Sequence, residues 1–109
     1  MPREVLGEFE QQVLLTLLRL GEDAYSAEVV LELEEQAGRP VRTAAVYIVL
    51  RRLEEKGLVR STMRSPGAEG GRDRRHFDVT RKGRAKMREA HAAYMRLCEG
   101  LEGVLKGTT

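Results

Sequence analysis
Residues 42–59 read RTAAVYIVLRRLEEKGLV, residues 60–75 read RSTMRSPGAEGGRDRR, and residues 76–79 close the stretch with HFDV. In the first segment Val46, Val49, Leu50 and Leu53 recur at offsets 3, 4 and 7, the spacing of one helical face. Thr43 is placed to cap this helix, and Gly57 to close it after about Lys56. Another face carries Thr43, Tyr47 and Arg51, with Ala44 and Ile48 less directly on it. The second segment changes period. Leu58–Met63 reads as a short strand and Arg75–Val79 as its return, with Phe77 and Val79 on one side. Between them Arg64–Arg74 is rich in Gly, Pro and Arg, too long for a two-residue turn, and suits a flexible hairpin tip.

A helix with a small, polar outer face followed by an Arg-rich hairpin is the shape of a recognition helix and wing. The segment before it supplies the rest of the motif. Ser26 is a plausible cap for a helix SAEVVLELEEQA, with Val29, Val30, Leu33 and Ala37 inward and Glu28, Glu32 and Glu35 outward. Gly38-Arg39-Pro40 ends it, because Pro cannot continue a helix. An earlier helix, residues 8–20, has a wide apolar face of Phe9, Val13, Leu14, Leu17, Leu18 and Leu20, with Gly21 at its end. Val5 and Leu6 precede it as an extension or a dimer contact. Asp23–Tyr25 reads as a connector or brief strand.

After the wing, Thr80 caps a last helix of about Arg81–Leu105. Met87, Ala90, Tyr94, Leu97, Leu101 and Val104 recur at spacings 3, 4, 3, 4, 3, widened by His91, Cys98 and Leu105. This is a coiled-coil-like seam. At 1.5 Å per residue such a helix is roughly 37 Å long, more than the remaining domain can cover. Part of the seam is therefore expected on a second copy, with Phe9, Met87, Ala90, Tyr94, Leu97 and Leu101 at the dimer interface. Packing on the first helix of the same chain is expected to share it. Gly100, Gly103 and Gly107 should fray the last turns.

Charge points the same way. The net charge of the 109-residue chain is only +2. Residues 39–88, however, carry 15 basic against 5 acidic side chains, whereas residues 1–38 carry 2 against 9. A field of one sign over the helix and hairpin attracts phosphates, and a merely solvated face would mix its signs. One Cys permits no internal disulfide and fits a reducing cytoplasm. The N-terminus is too polar for a signal peptide, and no apolar run approaches the roughly 18 residues of a membrane span.

Enzymatic readings lack residues. The two His are 15 positions apart, and no Ser or Cys nucleophile adjoins a base. His91 and Cys98 share a helix face, but two ligands do not close a zinc site. GAEGGR lacks phosphate-loop spacing and no Gly-Lys-Ser/Thr follows it. No catalytic residue, metal or cofactor is expected.

The segments LGEFEQQVLLTLLRLGEDAYSAEVVLELEE, AVYIVLRRLEEKGLVRS and GGRDRRHFDVTRKGR, in this order and over about residues 5–88, resemble the PadR family of bacterial transcriptional regulators. The resemblance implies a mainly α fold with a small β-hairpin: a winged helix-turn-helix DNA-binding domain over residues 1–79 and a C-terminal dimerisation helix over residues 80–109. It implies a homodimeric repressor of its own or a neighbouring operon, bound to a palindromic operator in double-stranded DNA, in some relatives answering to a small-molecule effector. Met87, Tyr94, Met95 and Leu97, with Phe9, are candidates to line an effector pocket, with ordinary core packing as the structural alternative for each. Arg42 stands where a Ser often begins the recognition helix, Ala44-Ala45 replace a more usual Gly-containing pair, and His76-Phe77 replace paired aromatics. The operator sequence therefore does not transfer.

Expected DNA contacts follow. Arg42 suits a guanine edge or a phosphate, Thr43 a phosphate or base if it is not the cap, and Ala44 a close approach or a thymine methyl. The Tyr47 hydroxyl suits a phosphate oxygen. Arg51 suits the backbone, with an ion pair to Glu54 or Glu55 as the structural alternative. Arg64, Arg72, Arg74 and Arg75 are the wing candidates. A winged-helix module that binds protein and never DNA is the competing reading, against which the retained arginines argue.

Overall fold
The computed structural model describes residues 5–66 and 70–107. Helix α1 (Glu8–Leu20), strand β1 (Ala24–Tyr25), helices α2 (Ser26–Ala37) and α3 (Thr43–Glu55), strands β2 (Val59–Arg64) and β3 (Arg74–Val79), and helices α4 (Arg81–Cys98) and α5 (Glu102–Lys106) follow in order. Residues 1–4, 67–69 and 108–109 lie outside the described part. These include the centre of the expected wing tip and both ends of the expected domains.

The apolar stripes build one core. Val13, Leu14 and Leu17 of α1, Val29, Val30 and Leu33 of α2, and Val46, Val49, Leu50 and Leu53 of α3 are all buried together. Phe77 of β3 closes this core from the sheet side, fully buried. The brief strand before α2 exists: β1 pairs antiparallel with β3, which pairs with β2, giving the order β1-β3-β2. Ala24 lies opposite Phe77, and Ser61 opposite Phe77 on the other side. The alternation of a strand then puts Val59, Ser61, Phe77 and Val79 toward the helices, and Arg60, Thr62, Arg64, Arg74, His76 and Asp78 on the outer face.

Several details differ from the sequence reading. Tyr25, not Ser26, occupies the N-cap of α2, and its N–H donates to Glu28 Oε1 at 3.1 Å. Arg42, not Thr43, occupies the N-cap of α3. The cap position follows where the backbone leaves extended geometry, which side-chain preference only biases. Ala37 is exposed at the last turn of α2, and Leu6 is buried in the core rather than extended into solvent.

The last helix is not continuous. Helix α4 ends at Cys98, Glu99 turns extended with ψ 128°, and Gly100 adopts φ +84° before α5 begins. The 18 residues of α4 span roughly 27 Å instead of 37 Å. The apolar repeat runs on across the break, and the left-handed backbone that Gly permits interrupts the helix regardless. Met87 is 5% exposed and belongs to the chain's own core, so its place on the seam gives it little surface to offer a second copy.

The join between wing and α4 depends on close approach. Thr80 Oγ1 accepts from Gly83 N–H at 3.0 Å and donates to the Gly57 carbonyl at 2.8 Å, while Thr80 N–H donates to the Leu58 carbonyl at 3.0 Å. Gly83 is buried there. A β-carbon on it would stand 2.1 Å from the Leu58 carbonyl oxygen.

Candidate nucleic-acid interface
Burial of the Val46–Leu53 stripe turns the opposite side of α3 to solvent. Arg42, Thr43, Ala44, Tyr47 and Ile48 are exposed there. Two contacts fix how the helix stands. At its start, Glu34 Oε2 on α2 accepts from Val41 N–H at 2.8 Å, clamping the turn between the two helices. At its end, Gly57 N–H donates to the Glu54 carbonyl and Leu58 N–H to the Leu53 carbonyl, both at 2.9 Å, with Gly57 at φ +78°. This is the paired bonding of a Schellman closure, and it delivers the chain directly into β2.

A polar relay then joins α3 to both wing strands. Arg51 Nη1 lies 3.0 Å from Glu54 Oε1. That oxygen accepts no aligned hydrogen bond, so the contact is a charge pair only. Ser61 Oγ donates to Glu54 Oε2 at 2.5 Å, and Arg75 Nη1 donates to Ser61 Oγ at 2.9 Å. The structural alternative for Arg51, a pair with Glu54, is therefore present, and it coexists with partial exposure of the guanidinium.

The remaining wing arginines divide. Arg72 lies beyond the paired strands and is exposed. Arg64 and Arg74 share the outer face, away from α3. Arg64 Nη2 is 2.7 Å from Asp23 Oδ1, and the Arg74 guanidinium lies 4.4 Å from the centre of the Tyr25 ring. Tyr25 in turn meets His76 edge-on at 5.7 Å. The structure thus brings Arg42, Thr43, Ala44, Tyr47, Arg51 and Arg75 to one side, and holds Arg64 and Arg74 on the other. Nothing local in the sequence marks the Asp23 and Tyr25 partners, because they lie on a different strand region.

Two further residues stand at this surface: Ile48, which the sequence puts less directly on the outer face, and Arg39, which it does not single out. Ile48 is 57% exposed on the outer side of α3. Arg39 and Arg42 flank a groove of about 490 Å³ beside the start of α3, shared with Phe9, Gln12 and Pro40. Phe9, expected beside an effector, lines this groove. Met87 lines a different groove of about 550 Å³, between α1 and α4, with Leu15, Leu18 and His91. Of the expected dimer residues, Phe9 and Ala90 are half-buried against the core, whereas Tyr94 at 61%, Leu97 at 77% and Leu101 are exposed.

Residues 14–89 match the family described as transcriptional regulator PadR-like. The chain belongs to the PadR-like family of transcriptional regulators. A PadR family regulator from Eggerthella lenta is 31% identical, with a TM-score of 0.71 over 90% of this chain and 86% of that one. A PadR family regulator from Clostridium difficile is 20% identical, with a TM-score of 0.73 over 91% of this chain and 99% of that one. Bacillus subtilis PadR, solved in complex with operator DNA, is 17% identical, with a TM-score of 0.63 over 74% of this chain and 45% of that one. No curated protein matches the chain. Among the described residues no helix is long and apolar enough to cross a membrane, and no three His, Cys, Asp or Glu side chains are grouped to hold a metal ion.

Proposed function
We propose that this PadR-like regulator binds double-stranded DNA as a homodimer, inserting the first turns of α3 into the major groove and laying the wing against the flanking backbone. The observation that carries the reading is the outer side of α3. It is exposed, begins with Arg42, and is tied through Glu54 and Ser61 to a second arginine, Arg75, on the wing. One rigid unit then offers donors to base edges and phosphates together. The Bacillus subtilis relative, whose structure contains operator DNA, has the same fold, which supports the reading.

Exposed Tyr94, Leu97 and Leu101, with Val104 and Leu105 on α5, form an apolar surface that a second copy would cover. A two-fold pair would set the recognition helices about 34–36 Å apart, on half-sites of a palindrome one helical turn apart. An operator that overlaps the promoter of its own or a neighbouring gene would exclude polymerase when occupied, which would make the protein a repressor. The test is selection of bound duplexes from a random pool by the full chain, with the mass of the free protein measured by light scattering. Enrichment of an inverted repeat and a mass twice the 12.3 kDa of one chain are expected. A monomer, or no enrichment, refutes the proposal.

A further inference from the structure
The sequence assigns Thr43, Tyr47 and Arg51 to the outer face of α3, with Ala44, expected at a thymine methyl, and Ile48 less directly on it. Its geometry places the centre elsewhere. At about 100° per residue, Ala44 and Ile48 fall opposite Val46, Leu50 and Leu53, while Thr43 and Tyr47 fall to the flank that carries Glu54 toward the wing. Ala44 and Ile48 are one turn apart and both exposed. Ile48 keeps 57% of its surface in solvent, on a helix whose other large aliphatic side chains are buried. A single exposed apolar residue is ordinary. Here it adjoins exposed Ala44 and Tyr47; Arg51 and Arg52 stand on either side of it in the next turn, Arg42 precedes the strip, and exposed Glu55 lies in line with it two turns on.

An apolar strip with a cationic border has one occupant that fits both parts. The major groove of DNA carries apolar thymine methyls between two rows of phosphates. A second copy of this chain, which would bring the same arginines, fits the strip but not its border. Resting on the DNA-binding reading above, we propose that Ala44 and Ile48 read thymine methyl groups, so that the operator half-site holds at least one thymine whose C5 methyl packs on Ile48. Arg42 and the wing fix where the protein sits on the backbone, and this strip supplies discrimination toward A·T pairs at the groove centre.

The experiment starts from duplexes selected by the full chain and replaces each thymine in turn by deoxyuridine, which keeps every hydrogen-bonding group and lacks only the methyl. At one or more positions in each half-site, binding of the unaltered protein should weaken by about fourfold, the effect of one buried methyl. Ile48→Ala should bind the thymine duplex more weakly and lose no further affinity on replacement. Because Ile48 is exposed, this variant keeps its fold, which a thermal melt verifies. Indifference of the unaltered protein at every thymine overturns the proposal, as does full deoxyuridine sensitivity in Ile48→Ala. So does a selected site without thymine, or an Ile48→Ala protein that has become monomeric. Failure to enrich any duplex would instead refute the DNA-binding reading itself, and this proposal with it.

Discussion
Ser61, on the first wing strand, donates a 2.5 Å hydrogen bond to Glu54, in the last turn of α3. The bond couples the recognition helix to the wing; Arg51 lies against the same carboxylate, and Arg75 reaches it only through the Ser61 hydroxyl. Glu54 thus both rigidifies the candidate interface and cancels part of its positive charge. Glu54→Ala should lose about 1.5–3 kcal/mol of stability, the loss of a hydrogen bond to a charged group. It should also bind random-sequence DNA more tightly, with the log–log salt slope steeper by about one, because a guanidinium is freed for a phosphate. Fluorescence anisotropy across a salt series measures the slope. A shallower slope in the variant would show that Arg51 and Arg75 do not face the backbone.

The other charged contact in the core region governs acid stability. Lys56 Nζ, just past α3, reaches Glu10 Oε2 at 2.7 Å, and Glu10 Oε1 accepts from Gly7 N–H at 2.8 Å. Burial pushes the Glu10 carboxyl up, but the Lys56 bond, the Gly7 N–H and the charges of Lys56 and Arg52 outweigh it, leaving the group below its ordinary 4.5. A carboxyl that titrates lower when folded contributes stability that is present above its unfolded value and is lost as pH falls through the folded one. Urea midpoints should therefore drop below about pH 4.5, and Glu10→Gln should flatten that part of the profile. Lys56→Met should cost about 1–3 kcal/mol at neutral pH by leaving a buried acceptor without its charged donor.

Gly83 makes a sharper prediction. An alanine there would put its methyl carbon 2.1 Å from the Leu58 carbonyl oxygen and 2.8 Å from Val79 Cγ1. Backbone on one side and a β-branched side chain on the other leave no flexible group to yield. Gly83→Ala should lose stability near the upper end of the roughly 1–3 kcal/mol typical of overpacking, read as a lower melting temperature. Gly100→Ala meets open space and loses only the left-handed backbone. That substitution should favour one continuous helix through α4 and α5 and raise helical ellipticity, since left-handed geometry costs Ala about 1–2 kcal/mol.

The contrast between these glycines shows what was legible in the residues alone. The stripes Val13–Leu17, Val29–Leu33 and Val46–Leu53 announced the helices because burial of one face imposes their period. Gly57 and Thr80 announced a helix end and a helix start through local bonding that any chain of this pattern makes. The break at Gly100 was hidden because the apolar repeat continues through it. Arg64 and Arg74 were grouped with Arg72 and Arg75 because alternation across a strand assigns sides only once the register and the third strand are known. Asp23 and Tyr25, which occupy them, come from the loop before α2 and from β1. The exposure of Ile48 shows only in the structure, because an apolar residue beside the Val46–Leu53 stripe reads as core in a sequence until the helix is oriented.

That division of the wing yields a ranking that sequence could not supply. Arg72 is exposed beyond the strands, whereas Arg64 is held 2.7 Å from the Asp23 carboxylate on the outer face of the sheet. An arginine already paired must give up that partner to reach a phosphate, so its removal changes the binding free energy less. Arg72→Ala should weaken DNA binding and lower the salt slope by about one, whereas Arg64→Ala should leave the slope nearly unchanged. Asp23→Asn, which releases Arg64 without removing it, should strengthen binding to any duplex, again with a steeper slope. Asp23 has a positive φ of 62°, and Asn adopts that backbone as readily, so the loop keeps its shape. Its N–H also keeps its 2.9 Å bond to Asp78. Equal losses for Arg64→Ala and Arg72→Ala in the same titration would mean that the outer face of the wing, and not only its tip, lies on the nucleic acid.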